Sequence, residues 1–116
     1  PVLKVGNLDP KRDVLDVRDA VRAYVELMRK GTAGTVYNVA SGVGRPVRAI
    51  VDALVARARV PIRIEQDPSR MRASDVPVLV GSPRRLQEAT GWQPQISFDR
   101  MIDDLLEYWR KQTPVS

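Results

Sequence analysis

The sequence predicts an α/β fold, a small mixed sheet of about three strands with four helices, and three observations carry that prediction. Two short runs, PVLKVGN and VPIRIEQD, alternate apolar and polar residues, and a third, GTVYNVAS, is rich in valine and tyrosine. Elsewhere apolar residues recur three and four apart, the spacing of a helix with one apolar stripe. Asp, Ser, Pro and Gly stand where such helices begin and end.

The first run ends at Gly6-Asn7, a strand followed by a turn. DVRDAVRAYVELMRKG then sets Val17, Ala20, Val21, Tyr24, Val25 and Met28 on one helical stripe. Asp16 is its N-cap, Arg29 and Lys30 suit its last turn, and Gly31 its end. GTVYNVAS reads as the second strand and turns through GVGRP into a helix with Val47, Ile50, Val51, Leu54, Val55 and Ala58 on one face and Pro46 at its first position. VPIRIEQD is the third strand. SPRRLQEATG is a short helix with Ser82 as N-cap, Pro83 at its first position and Gly91 at its end. A last helix beginning near Ser97 carries Phe98, Met101, Ile102, Leu105, Leu106 and Trp109 on one stripe.

Composition bounds the chemistry. The 116 residues suit one core, and 43% apolar with 28% charged residues is ordinary for a folded domain. Without cysteine or histidine there is no disulfide, no thiolate or imidazole metal site, and no Ser-His or Cys-His nucleophile. No apolar run approaches the roughly 18 residues of a membrane helix and no signal peptide is evident, so a cytoplasmic protein without membrane contact is expected. The start at Pro1, without methionine, suggests a trimmed piece. The net charge of +5 rests mainly on arginine, whose planar fork suits phosphate and carboxylate, so an anionic partner is expected. A solvated basic surface would carry the same charge.

Candidate motifs follow from that charge. SGVGRP sits between a strand and a helix as phosphate loops do, but Val47 occupies the third glycine's place, so Arg45 near the helix start is the more useful group. No tyrosine is followed four residues later by lysine, and the Asp103-Asp104 pair belongs to a solvated helix face. Few aromatics and no long basic helix face argue against a nucleic-acid partner. In DPSRMRASDVP, Arg70 and Arg72 share one face of an extended segment and Asp75 follows, a set that could clamp a diphosphate and accept from hydroxyls.

VGNLDPKRDVLDVRDAV, GTVYNVASG with VRAIVDALV, DPSRMRASDVPVLVGSPRRLQEATGWQP and FDRMIDDLLEYWR together resemble the C-terminal portion of extended short-chain dehydrogenase/reductases acting on nucleotide sugars. GNLDPKRD and RMRASDVPVLVGSP are most similar to the group of GDP-mannose 4,6-dehydratases and GDP-4-keto-6-deoxy-D-mannose reductases. RDVLDVRDAV and SDVPVLVG lean towards the reductase.

The resemblance implies that residues 1–116 form a substrate-binding C-terminal domain, inactive alone, whose partner is a Rossmann domain carrying NADP(H) and the catalytic Tyr-x-x-x-Lys upstream of Pro1. This chain alone is expected to bind no cofactor and no metal and to supply no catalytic residue. By position, Arg12 would contact the nucleotide or its phosphates, Arg70 and Arg72 the diphosphate, and Asp75 the nucleotide or its own loop. Asn7 and Lys11 are further candidates in the GNLDPK turn, and Arg45 is a supporting group. The expected ligand is a GDP-sugar, and an apolar face left uncovered implies a homo-oligomer. A free-standing interaction module and a basic nucleic-acid binder are the alternatives.

Overall fold

In the computed structural model, which describes residues 1–72 and 76–113, the chain runs β1 (Val2–Val5), β2 (Lys11–Asp13), α1 (Val17–Lys30), β3 (Gly44–Pro46), α2 (Val47–Ala56), β4 (Arg63–Gln66), β5 (Val78–Leu79), α3 (Arg84–Thr90) and α4 (Phe98–Gln112). A single 3₁₀ turn, Pro68–Arg70, precedes β5. The α/β class and the four helices stand as expected, while the described strands are five, all short and divided between two sheets. In one, β1 runs parallel to β4 with Val2 opposite Arg63 and Val5 opposite Gln66. In the other, ordered β3-β2-β5, central β2 is antiparallel to β3 and parallel to β5.

GTVYNVAS forms no strand. Residues 36–40 carry no ladder, because no described strand lies beside them, and a strand needs a neighbour to take its amides and carbonyls. Gly31 also departs from expectation: at φ −70° and ψ 154° it is extended, not left-handed. Its N–H still closes the helix on Leu27 O, and a Cβ there would lie 2.5 Å from that oxygen, so the position still needs glycine. Pro46 and Pro83 act one residue earlier than predicted, each as N-cap of the helix that follows. Asp16 caps α1 as predicted, accepting from the Arg18 amide; Ser97 caps α4 where that helix was expected to begin, accepting from the Arg100 amide, while Pro83 stands at the N-cap expected of Ser82.

Trp92, Leu86 and Ala23 make the buried centre, joined by Leu15, Leu27 and Val39. The Trp92 indole N–H donates to the Asp19 carbonyl at 3.0 Å. The Asp19 carboxylate, buried on the inner face of α1, accepts from the amides of Gln95 and Ile96, fastening to that helix the segment that leads from Trp92 to α4. The face of α1 that meets the core is therefore the one bearing Asp19, Ala23 and Leu27. The apolar stripe that the sequence points to lies outside: Val17, Val21, Tyr24, Val25 and Met28 are all exposed, Met28 by 89%. Leu105, Tyr108 and Trp109 of α4 are exposed too. The molecule is a plate with extents of 50 × 36 × 18 Å.

Candidate functional site

Strand β2 is three residues long, and each has a different task. Lys11 is exposed, and its amide donates to Pro77 O at 2.8 Å. Arg12 is half-buried, and its guanidinium donates to the carbonyls of Val76, at 2.7 Å, and Lys11. Asp13 turns to the main chain: one carboxylate oxygen accepts from the Ser41 amide and hydroxyl, the other from the amides of Gly42 and Gly81. Burial pushes the Asp13 carboxyl up, but the Ser41 hydroxyl and the three amides outweigh it and hold it below the ordinary aspartate value.

Arg45 stands directly opposite Arg12 in the antiparallel β2–β3 pair. Like charges so placed repel. The guanidiniums are held by different neighbours: Arg12 reaches the Val76 carbonyl, and Arg45 lies 4.3 Å from the centre of the Phe98 ring. Among the described residues neither is paired with a carboxylate, which leaves both charges available to an anion.

Arg70, Arg72 and Asn7 share a cleft of about 520 Å³, with Lys4 at its edge and Leu8, Val47 and Val51 in its lining. The cleft is closed at one side by an unusually near approach: a Cβ on Gly6 would lie 2.4 Å from the Arg70 carbonyl oxygen, so only glycine lets the two segments touch. The Asn7 side chain accepts from the Asp9 amide, which shapes the turn. Asp67 caps the 3₁₀ turn and pairs with Arg70 at 3.5 Å.

Three of the predicted site residues are thus brought together, and the others are not in the same cleft. Arg12 lines a second concavity of about 580 Å³ with Tyr24, Tyr37 and Asn38, and Arg45 lines a third of about 370 Å³. Asp75 lies outside the described residues. Chain length still ties the first two clefts: four peptide units separate Arg72 from Val76, so the Cα of Arg72 is within about 14 Å of the residue that Arg12 grips. The SGVGRP turn does not make a dinucleotide loop. Gly44 to Pro46 are paired with β2, and a Cβ on Gly44 would meet the Val80 side chain at 2.8 Å, so that glycine serves packing. No group of three or more acidic, His or Cys residues that could hold a metal occurs among the described residues, and no described helix is long and apolar enough to cross a membrane.

The role of Asp13 was hidden in the sequence, because its donors stand 28, 29 and 68 residues away and three of them are plain amides.

The chain is similar to known proteins along nearly its whole length. A family model described as GDP-mannose 4,6 dehydratase matches residues 1–105. GDP-6-deoxy-D-mannose reductase of Pseudomonas aeruginosa is 40% identical over 110 residues, which are 95% of this chain and 36% of the reductase. Among solved structures, RMD from Pseudomonas aeruginosa complexed with NADPH superposes with a TM-score of 0.89 at 38% identity, covering 97% of this chain and 37% of that one. UDP-glucose 4-epimerase of Thermotoga maritima with UDP-glucose does so with a TM-score of 0.75 at 26% identity, covering 94% and 35%. The chain spans little more than a third of the length of these relatives.

Proposed function

The chain belongs to the GDP-mannose 4,6 dehydratase family, and on that footing we propose that residues 1–116 are the part of a GDP-sugar reductase that holds the nucleotide sugar. The observation that carries this reading is the meeting of Arg70, Arg72 and Asn7 in one cleft, together with Arg12 and Arg45 opposite each other in the β2–β3 pair and, among the described residues, neither of those two paired with a carboxylate. Arg70 and Arg72 take the diphosphate, Arg12 takes a phosphate from the β2 side, and Asn7, Lys11 and Asp75 order the nucleotide end. Arg45 supports from the Phe98 ring. The 40% identity to a GDP-6-deoxy-D-mannose reductase favours reductase over dehydratase.

The residues of this chain do not fit a dinucleotide cofactor, since Val47 replaces the third glycine and the turn is taken up by sheet pairing. NADP(H) and the catalytic tyrosine belong to a Rossmann partner domain. The exposed α1 stripe and the ladderless segment 36–40 are the apolar and hydrogen-bonding surfaces on which that domain would sit. The work of this half is positional. It anchors the remote GDP end so that binding energy is spent on placing the sugar carbonyl at the hydride donor. The setting is cytoplasmic.

Calorimetric titration of the chain with GDP-mannose, UDP-glucose and NADPH tests this. Saturable binding of GDP-mannose alone is expected, weakened about tenfold or more by Arg72→Ala, the scale of one lost charge-assisted contact. Absence of GDP-mannose binding, or equal binding of UDP-glucose, overturns the proposal.

A further inference from the structure

We infer that Asp13 is a positioning residue of the nucleotide-sugar site, one that sets Arg12 and Arg45 in place while leaving their charges free for the ligand. The inference rests on the nucleotide-sugar reading above and goes beyond it by naming what holds the site in shape.

A three-residue strand has too short a ladder to hold its own register, so something else must fix β2. Asp13, its last residue, does so from both sides. Its carboxylate takes the Ser41 amide at 2.9 Å and hydroxyl at 2.6 Å, and the Gly42 amide at 2.9 Å, three residues before the arginine of β3. It also takes the Gly81 amide at 3.3 Å, two residues past the end of β5. One side chain thus pins the approaches to both strands that flank Arg12, including the segment whose Val76 carbonyl holds the Arg12 guanidinium.

The backbone is shaped to allow this. Gly42 is left-handed, with φ +80°, and a Cβ there would press on Pro83 at 3.2 Å. A Cβ on Gly81 would meet the Ala40 side chain at 2.8 Å. Two of the donors therefore come from positions where a side chain would be strained or obstructed.

Its choice of partners sets Asp13 apart from a carboxylate that merely braces the fold. The buried aspartates, by contrast with the half-buried Asp13, each spend an arginine: Asp16 pairs with Arg18, and Asp19 with Arg22. Asp13 has no cationic partner among the described residues, although Arg12 is its neighbour in sequence. Its charge is taken up by three amides and a hydroxyl, so it can stand beside an anion site without neutralising the arginines. Asparagine cannot substitute, because its NH₂ would face donors where an acceptor is required.

The test is a double-mutant cycle on the chain, with Asp13→Asn and Arg12→Ala singly and together, read as the Kd for GDP-mannose. Asp13→Asn is expected to weaken binding about tenfold alone and only about threefold when Arg12 is already alanine, because the share that acts through Arg12 is then gone and the share through Arg45 remains. Equal losses in both backgrounds, or no loss, overturn the inference. If Asp13→Asn does not fold, Ser41→Ala, which removes only the hydroxyl bond, is carried through the same cycle with a loss of about threefold expected. If the unaltered chain binds no GDP-mannose, the nucleotide-sugar reading fails by itself, and positioning is read by NMR instead. Exchange of the Arg12 Nη1 protons, which donate to the Val76 and Lys11 carbonyls, should then accelerate in Ser41→Ala or Asp13→Asn; unchanged exchange overturns the inference.

Discussion

Truncation of Trp92 should come close to unfolding this chain. The side chain is 2% exposed and packs on Ala23 and Leu86, both fully buried, with Leu15, Leu27 and Val39 around them. Trp92→Ala removes the largest buried side chain from a small core, and substitutions of that kind cost about 3–5 kcal/mol. Domains of this size hold about 5–15 kcal/mol in total, so the loss would consume a large share. Trp92→Phe separates the contributions. It keeps most of the apolar contact but loses the indole bond to the Asp19 carbonyl, worth about 1 kcal/mol, and some ring volume. Urea unfolding followed by helical circular dichroism reads both. With a slope of about 1–1.5 kcal/mol/M, Trp92→Phe should lower the midpoint by about 1 M, and Trp92→Ala should leave little native baseline. A loss below about 1 kcal/mol for Trp92→Ala would refute the view that this cluster is the folding centre.

Two further outcomes are expected. Val21→Asp with Met28→Asp should abolish self-association at tens of micromolar, read by sedimentation velocity, while leaving stability within about 0.5 kcal/mol, because both side chains are exposed in the single chain; an unaltered chain that sediments as a monomer would contradict this. Acid should destabilise the protein. Asp16 is held below its ordinary value first by the Arg18 guanidinium, and Asp13 and Asp19 by hydrogen bonds that outweigh burial. Their contribution is present above the unfolded aspartate value of about 4 and is lost as pH falls through the lower folded values, so the melting temperature should drop below about pH 4 and stay level from 5 to 7.

How much of this was legible depended on distance along the chain. The helices could be read because Asp16, Ser97 and Gly91 announce their ends within a few residues and the periodicity lies inside each element. GTVYNVAS was misread as a strand because a strand is a property of two segments, and its valines and tyrosine report only one. The α1 stripe was legible as apolar, but periodicity reports a face that wants covering and not whether this chain covers it, and here it lies exposed. Local spacing puts Arg70 and Arg72 on one face of an extended segment, whereas Arg70 closes the 3₁₀ turn Pro68–Arg70 and it is the cleft, not an extended face, that the two share. Their meeting with Asn7 depends on the Gly6 approach, and the opposition of Arg12 to Arg45 depends on register, neither of which is written locally.

The flatness of the molecule has a thermodynamic consequence. A Cα radius of gyration of 17.2 Å exceeds the roughly 13 Å of a rounded domain of this length, and the shortest extent, 18 Å, is about a third of the longest, 50 Å. A plate has little inside, so its folding and its docking are one linked equilibrium. Whatever seats on the broad face stabilises the fold by mass action, by about 2.7 kcal/mol at a hundred times its dissociation constant, and so raises the melting temperature. The melting temperature of this protein is therefore a titration curve for its partner, and thermal shift against concentration measures the docking affinity directly.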